Sequence, residues 1–548
     1  MFCTVETKRK PLNSLKFRGF HLFAVILRGA TRNRTADTRI FSPLLYQLSY
    51  GTFRFASAKV ACFIVTAKYK CVFFANIFHF LCSGACLRKF LGMCEQFIWW
   101  CVFFDMKNIA VMNYRISVFA FLAMVMITQL EAQERPQNRV EQYIDSLKST
   151  HRIEYLGEGE KPSVDDERAL LDIFYYDQFR NAQDPRAPYF LFMSRDANFV
   201  MGLGGVVRMR GWYDWDGAMP NNGFIPYNIA IPMNPARSKW LGSTPAGTAL
   251  YFRVLGTNAR VGDYQLYIEA NFDGYNQRGF LLKKAYATLN DWTVGYAHST
   301  FSDPLAEPLL VDGQGPNAYV STTAVLVRWM HNLRKDWIVA ASVEMPQSFV
   351  GANGTTTQSV DDWMPNVAAF SQYEWAPNQH VRLAGILRTL PYRDLVAGKN
   401  RNEMGWGVQL SSVMRPFKPL TLYFMGNYGR GISSLTGDLI MGNYDLVDNP
   451  EKPGEMYTPR LFGWYGAAQY HFTPSLFAGF TFGQLRYLPD YKQAPTEYKY
   501  GLYSALNLFW NITPRIQVGG EYNLGKRQNV GGQHRWAQRV SLMTQFSF

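Results

Sequence analysis

From Ala197 to the end of the chain, polar and apolar side chains exchange places at almost every residue. Side chains on a strand point alternately to opposite faces, so about ten such residues make a ribbon with one wet side and one oily side. The segment from Asp263 to Asp273 is the clearest case. It sets Tyr264, Leu266, Ile268, Ala270 and Phe272 on one side and Gln265, Tyr267, Glu269 and Asn271 on the other. The final stretch does the same, with Val540, Leu542, Phe546 and the terminal Phe548 opposite Arg539, Ser541, Gln545 and Ser547. A chain built of such ribbons must cover its oily side with a second layer or with lipid.

Sixteen segments of this kind lie between Phe199 and Phe548, each near the length that a tilted membrane-spanning strand needs. Tight turns (Gly256 to Asp263, Phe272 to Arg278, Arg415 to Pro419, Thr513-Pro514) are interspersed with long polar loops at 214–246, 346–364, 431–457 and 488–496. Short turns on one side and long loops on the other are the asymmetry of a barrel in an outer membrane. Trp212, Tyr213, Trp292, Trp329, Trp337, Trp464 and Trp510 suit an interfacial girdle, which a soluble β-sandwich would not need. No continuous apolar helix follows residue 132, so any crossing of a membrane falls to a closed sheet. The expected fold is all-β, a 16-stranded antiparallel transmembrane β-barrel over residues 197–548, and the terminal phenylalanine resembles the closing signal of outer-membrane barrels in general.

The formal charge of +14 points at first to nucleic acid. Its distribution excludes that partner. Residues 1–132 hold 17 Lys and Arg against 5 Asp and Glu, whereas residues 133–548 hold 39 against 37. All seven cysteines lie at or before Cys101, and the cysteine-free remainder suits passage through an oxidising compartment. Cys82 and Cys86 have no second pair at zinc-binding spacing, so neither metal nor other cofactor is expected. Residues 28–50 resemble the product of translating a transfer-RNA gene, and residues 1–105 read as upstream sequence joined by a misplaced start. The alternative is a basic, aromatic RNA-binding arm. Residues 106–132 read as an export signal: Lys107 and Arg115, an apolar core from Ile116 to Ile127, and a cleavage site before Gln133. Twelve apolar-rich residues are too few to span about 30 Å of hydrocarbon as a helix.

Residues 133–196 read as a short helical leader in the periplasm. Val140, Ile144, Leu147 and His151 make a brief seam, either of a surface helix or of a trimeric coiled coil. A second helix is expected from Ser163, capped with Asp166 and ended by Pro185 and Pro188.

One connection differs from the rest. Gly295 to Pro304 leads through Glu307 and Pro308 to Asp312, Gly315, Pro316 and Asn317, and its prolines, glycines and aliphatics suit a compact loop packed on an inner wall. The pattern Gly295-x-x-x-Ser299-Thr300-Phe301-x-Asp303, then Asp312-x-x-Gly315-Pro316-Asn317, is similar to the constriction loop of the DcaP-like outer-membrane porins. Ala341 to Pro346 and Gly520 to Arg527 resemble further pieces of that pattern, while Tyr296 and His298 depart from it. The resemblance implies a homotrimer in the outer membrane of a Gram-negative bacterium, passing small anionic solutes past a loop at 299–317 folded into the lumen. Beside it stand charges of inward parity: Arg208, Arg210, Arg253, Arg328, Arg382 and Arg388, with Arg539, against Asp303, Glu307 and Asp312 on the loop. Such segregation sets up a transverse field that selects by charge. The competing role for each arginine is to hold a structural carboxylate such as Glu269 or Glu344.

An enzyme is not expected, because Ser299 and His298 are strand neighbours that face opposite sides. The reading is a porin for passive diffusion, embedded in outer-membrane lipid. Its competitor is a non-conducting structural or adhesive barrel that binds a partner through its long loops.

Overall fold

The computed structural model describes residues 153–157, 162–163, 167, 171, 174, 190–196 and 198–548, the last apart from 218–221, 259, 261, 275–277 and 441. The upstream segment, the export signal and the seam from Val140 to His151 lie outside the described residues.

Sixteen antiparallel strands form one closed wall. They are β1 (Phe199–Trp215), β2 in two pieces (Lys239–Thr244 and Ala249–Asn258), β3 (Gly262–Asn271), β4 (Leu281–Leu289), β5 (Trp292–His298), β6 (Thr323–Arg334), β7 (Trp337–Glu344) and β8 (Asn366–Ala376). The second half comprises β9 (Gln379–Asp394), β10 (Lys399–Phe417), β11 (Leu420–Arg430), β12 (Arg460–His471), β13 (Leu476–Leu488), β14 (Tyr498–Asn511), β15 (Ile516–Asn529) and β16 (His534–Ser547). Closure is made by the last stretch of the chain, as β16 pairs with β1 from Gln538 opposite Trp215 to Ser547 opposite Val206. Phe548 then exchanges two backbone hydrogen bonds of 3.0 Å with Gly205. A Cβ at 205 would stand 2.7 Å from the Phe548 ring, so the seam needs glycine there. Closure leaves no free edge, which is what lets a sheet stand in hydrocarbon.

Alternation fixes the two faces as the sequence implies. Leu250, Leu266, Val294, Val327, Leu383, Phe480, Leu506, Leu508, Val540, Leu542 and Phe546 are exposed on the outside. Tyr213, Trp292, Trp337 and Trp510 of the expected girdle are exposed as well, while Trp329 and Trp464 are half-buried. Trp212 is corrected. It shares parity with Arg210 and Asp214, is 5% exposed, and packs beneath the Arg539 guanidinium at 5.2 Å.

Three other assignments change. Residues 239–244, expected in a loop, belong to the wall, and Thr248 bridges the break in β2 by accepting from the Arg208 N–H and donating to the Arg208 carbonyl. The connection Phe272 to Arg278 is not a tight turn of the short-turn end. It joins β3 to β4 and so lies at the long-loop end, because successive connections must alternate. The leader is also not wholly helical. Glu167, Leu171 and Phe174 are helical, but Ile153–Leu156 and Phe190–Ser194 are strands. Phe190–Ser194 pairs with β1 from Phe190 opposite Leu203 to Met193 opposite Val200, filling the edge that β16 is too short to cover.

Candidate pore and its loop

Segment 299–322, between β5 and β6, is tied to strands all the way round the wall. At its start the Thr300 N–H donates to Glu344 Oε1 at 2.7 Å, and the buried Asp303 carboxylate accepts from His380 Nε2 at 2.8 Å and from Ser411 Oγ at 2.5 Å. Arg382 adds an ion pair to Asp303 at 3.6 Å and donates to the Ser302 carbonyl at 2.8 Å. Although burial alone would raise it, the Arg382 guanidinium and the hydrogen bonds from His380 and Ser411 hold the Asp303 carboxyl well below its ordinary range. Phe301 is fully buried among Ile386, Ile432 and Met425 of the inner apolar cluster.

Past the short turn Pro304–Ala306, the Tyr465 hydroxyl donates to the Ala306 carbonyl at 3.0 Å. At the far side Glu521 accepts from the N–H groups of Val311 and Asp312, both at 2.9 Å. The Asp312 carboxylate in turn accepts from the Phe224 N–H at 2.9 Å and the Tyr503 hydroxyl at 3.2 Å. The return leg is held by Asn317, which donates to the Gly501 carbonyl at 3.0 Å, and by Asn427, which donates to the Ala318 carbonyl at 2.8 Å. Gly315 takes a left-handed φ of 79°, and the Pro316 carbonyl closes a turn with the Tyr319 N–H at 2.9 Å. Ser299 Oγ accepts from the Phe301 N–H. Glu344 and Glu521 fall one in each of the two short stretches singled out in the sequence, and they hold the start and the far side of the segment.

Six of the seven inward arginines are consumed by protein partners. Arg253 is wholly buried, donates to the Phe174 carbonyl and lies over the Phe174 ring at 4.8 Å. Arg328 donates to the His298 carbonyl at 3.4 Å. Arg382 holds Asp303, and its guanidinium stacks on Phe370 at 4.2 Å. Arg388 joins Asp445 at 3.2 Å and the Gly431 and Gln347 carbonyls, both at 2.6 Å, which ties down loop 431–459. Arg210 donates to the Val311 carbonyl at 3.2 Å and lies so close to Gly313 that a Cβ there would be 2.4 Å from its Nη1. Arg539 makes a two-pronged pair with Asp214 at 2.6 and 2.9 Å.

What remains accessible is a smaller set. Arg208 is half-buried and spends its donors on the neutral Gln545 at 2.8 and 2.6 Å. On β4 an extra residue interrupts the pairing between Glu269–Lys284 and Ala270–Leu282, and that residue is Lys283. Lys284 pairs with Glu269 at 2.7 Å. The exposed Glu307 of segment 299–322 lies in the fields of Lys283, Arg208 and Lys284. Lys283 and Lys284 were absent from the sequence-derived set, since only the bulge reveals that both charges of the pair reach the segment.

A closed sixteen-stranded antiparallel wall, apolar outside and lined within by charged and polar residues that bond to its loops, defines a porin-type β-barrel fold. Among solved structures the fold is similar to the outer membrane channel DcaP of Acinetobacter baumannii, with a TM-score of 0.56 at 19% identity, covering 64% of this chain and 98% of that one. An anion-selective porin from Comamonas acidovorans aligns with a TM-score of 0.44 at 10% identity, covering 64% and 100%. No family model and no curated protein sequence matches the chain. The likeness to DcaP agrees in fold with the resemblance carried by residues 295–317.

Proposed function

We propose that the barrel is a passive diffusion channel for small anionic hydrophilic solutes, narrowed by segment 299–322 folded across its lumen. The carrying observation is the chain of hydrogen bonds that runs from Glu344 through Asp303, Ala306 and Val311 to Glu521, joining β7 to β15 through one loop. On this reading the remaining gap lies beside the exposed Glu307, with the accessible Arg208 and Lys283 and the ion-paired Lys284 as its basic side. A low-dielectric passage with opposed charges orients dipolar solutes, and an excess of cations raises local anion concentration. Ion-paired Lys284 contributes less than Arg208 and Lys283.

A homotrimer, with one channel in each copy, is part of the reading. Strands β3, β4, β5 and β7 have 10, 9, 7 and 8 residues. At about 3.3 Å per residue and a tilt near 40°, seven residues rise only about 18 Å, less than an apolar belt of about 25 Å. A neighbouring copy packed on this low wall, over Leu266, Ile268, Val294, Val325 and Val327, would make up the deficit. Planar-bilayer recording tests the whole. Folded protein is expected to open and close in three equal steps with an anion-biased reversal potential. No conductance from folded protein would favour the adhesive barrel instead.

A further inference from the structure

The outer face carries a second charged feature, away from the lumen. On β13, β14, β15 and β16 the outward positions near the long loops include Arg486, Tyr500, Lys526 and Trp536. Their parity is that of the exposed Phe480, Leu506, Leu508 and Leu542 further along the same or adjoining strands. Register makes them one row, since Arg486 faces Tyr500, Lys526 faces Trp536, and Leu502, two residues from Tyr500, faces Lys526. Arg486 lies over the Tyr500 ring at 5.3 Å, and Lys526 lies 5.6 Å from both the Tyr500 and the Trp536 rings. Lys526 also donates to the Tyr500 hydroxyl at 3.2 Å.

Neither cation has a carboxylate partner among the described residues. The two arginines that continue the row on β11 and β12 differ: Arg430 and Arg460 share Asp490 at 2.5 and 2.9 Å. Two unpaired cations, immobilised on aromatic faces two strands or roughly 10 Å apart, stand at the rim where hydrocarbon gives way to headgroups. Below them, past Gln484, Ser504 and Gln538, the exposed Phe480, Leu506, Leu508 and Leu542 make an apolar wall. The matching ligand has acyl chains to lie on Phe480, Leu506 and Leu508 and an anionic head wide enough to meet both cations. Guanidinium binds phosphate in a fork, and ammonium binds it as a point charge.

We propose that this row is a binding site for a phosphorylated glycolipid of the outer leaflet, its head held by Arg486 and Lys526 and stacked against Tyr500. The test uses the full chain, purified in detergent and incubated with diphosphoryl lipid A, with retained lipid counted by native mass spectrometry. Wild-type protein and the opposite-rim variant K335Q are expected to retain the lipid equally, and R486Q/K526Q about tenfold less, as loss of charge-assisted contacts implies. The charge-conserving R486K/K526R is expected to hold most of it, which separates loss of charge from loss of fold. Equal retention by R486Q/K526Q would overturn the site, as would displacement by excess inorganic phosphate or equal binding of phosphate-free lipid.

Discussion

The two halves of the wall solve the same problem differently. Strands β9, β10 and β13 to β16 have 13 to 19 residues, enough to cross the belt with margin, and their inner faces are packed by loops 299–322 and 431–459. Strands β3 to β5 have 7 to 10 residues, and beside them stand the accessible charges of Arg208 and Lys283. The long wall spends its inward polar groups on anchoring: His380, Arg382, Arg388 and Glu521 all bond to loops. On the proposed reading, the low side keeps Arg208 and Lys283 for the solute. Charge near a lumen is therefore not by itself a solute contact, and a buried arginine with three partners is scaffold.

Removing residues 302–314 would take away the buttress of the long wall, and single-channel current is expected to rise several-fold. An unchanged current would place the narrowing elsewhere. Next in size is Asp303→Asn, which leaves Arg382 buried without its counter-charge. Breaking such a pair costs about 3–5 kcal/mol, visible in denaturant unfolding of the detergent-solubilised barrel. A matched pair of substitutions contrasts the walls directly. Leu506→Arg on the long wall meets lipid and is expected to cost about 2–4 kcal/mol with the oligomer intact. Val294→Arg on the low wall is expected to dissociate the trimer, read by native electrophoresis, and an intact trimer would break the comparison.

Arg208→Ala is expected to move the reversal potential toward cations while Arg388→Ala leaves it unchanged and loosens loop 431–459. Equal shifts would return Arg388 to the pore. The smallest effect concerns pH. Burial raises the Asp438 carboxyl from 3.8 to about 7, with the Tyr227 N–H and the Tyr498 hydroxyl as its hydrogen-bond donors. The folded state then binds the proton more tightly than the unfolded chain, so this group contributes stability that is lost as pH rises from about 4 to about 7. Asp438→Asn is expected to flatten that slope in thermal unfolding.

Period-two alternation was enough to find all sixteen strands, the closing role of Trp536 to Phe548, and the segment that behaves unlike the others, because every residue on a half-lipid, half-water ribbon is constrained by its face. Glu344 and Glu521 were legible too, as parts of short distinctive stretches, although not as the grips of one loop. Parity could not tell Arg208 from Arg388, since both point inward. Only the folded chain shows that one meets a neutral glutamine while the other meets Asp445 and two carbonyls, a difference set by partners 41 to 337 residues away in sequence. Trp212, Lys283 and the strand at Phe190–Ser194 escaped for related reasons: a ring hidden under a distant arginine, a bulge that breaks the period, and an edge that exists only once β16 has ended short. Local pattern settles which face a side chain takes, because that choice is made residue by residue against solvent. What each side chain does there is decided by closure, which brings the ends of the chain and its loops into one enclosed space.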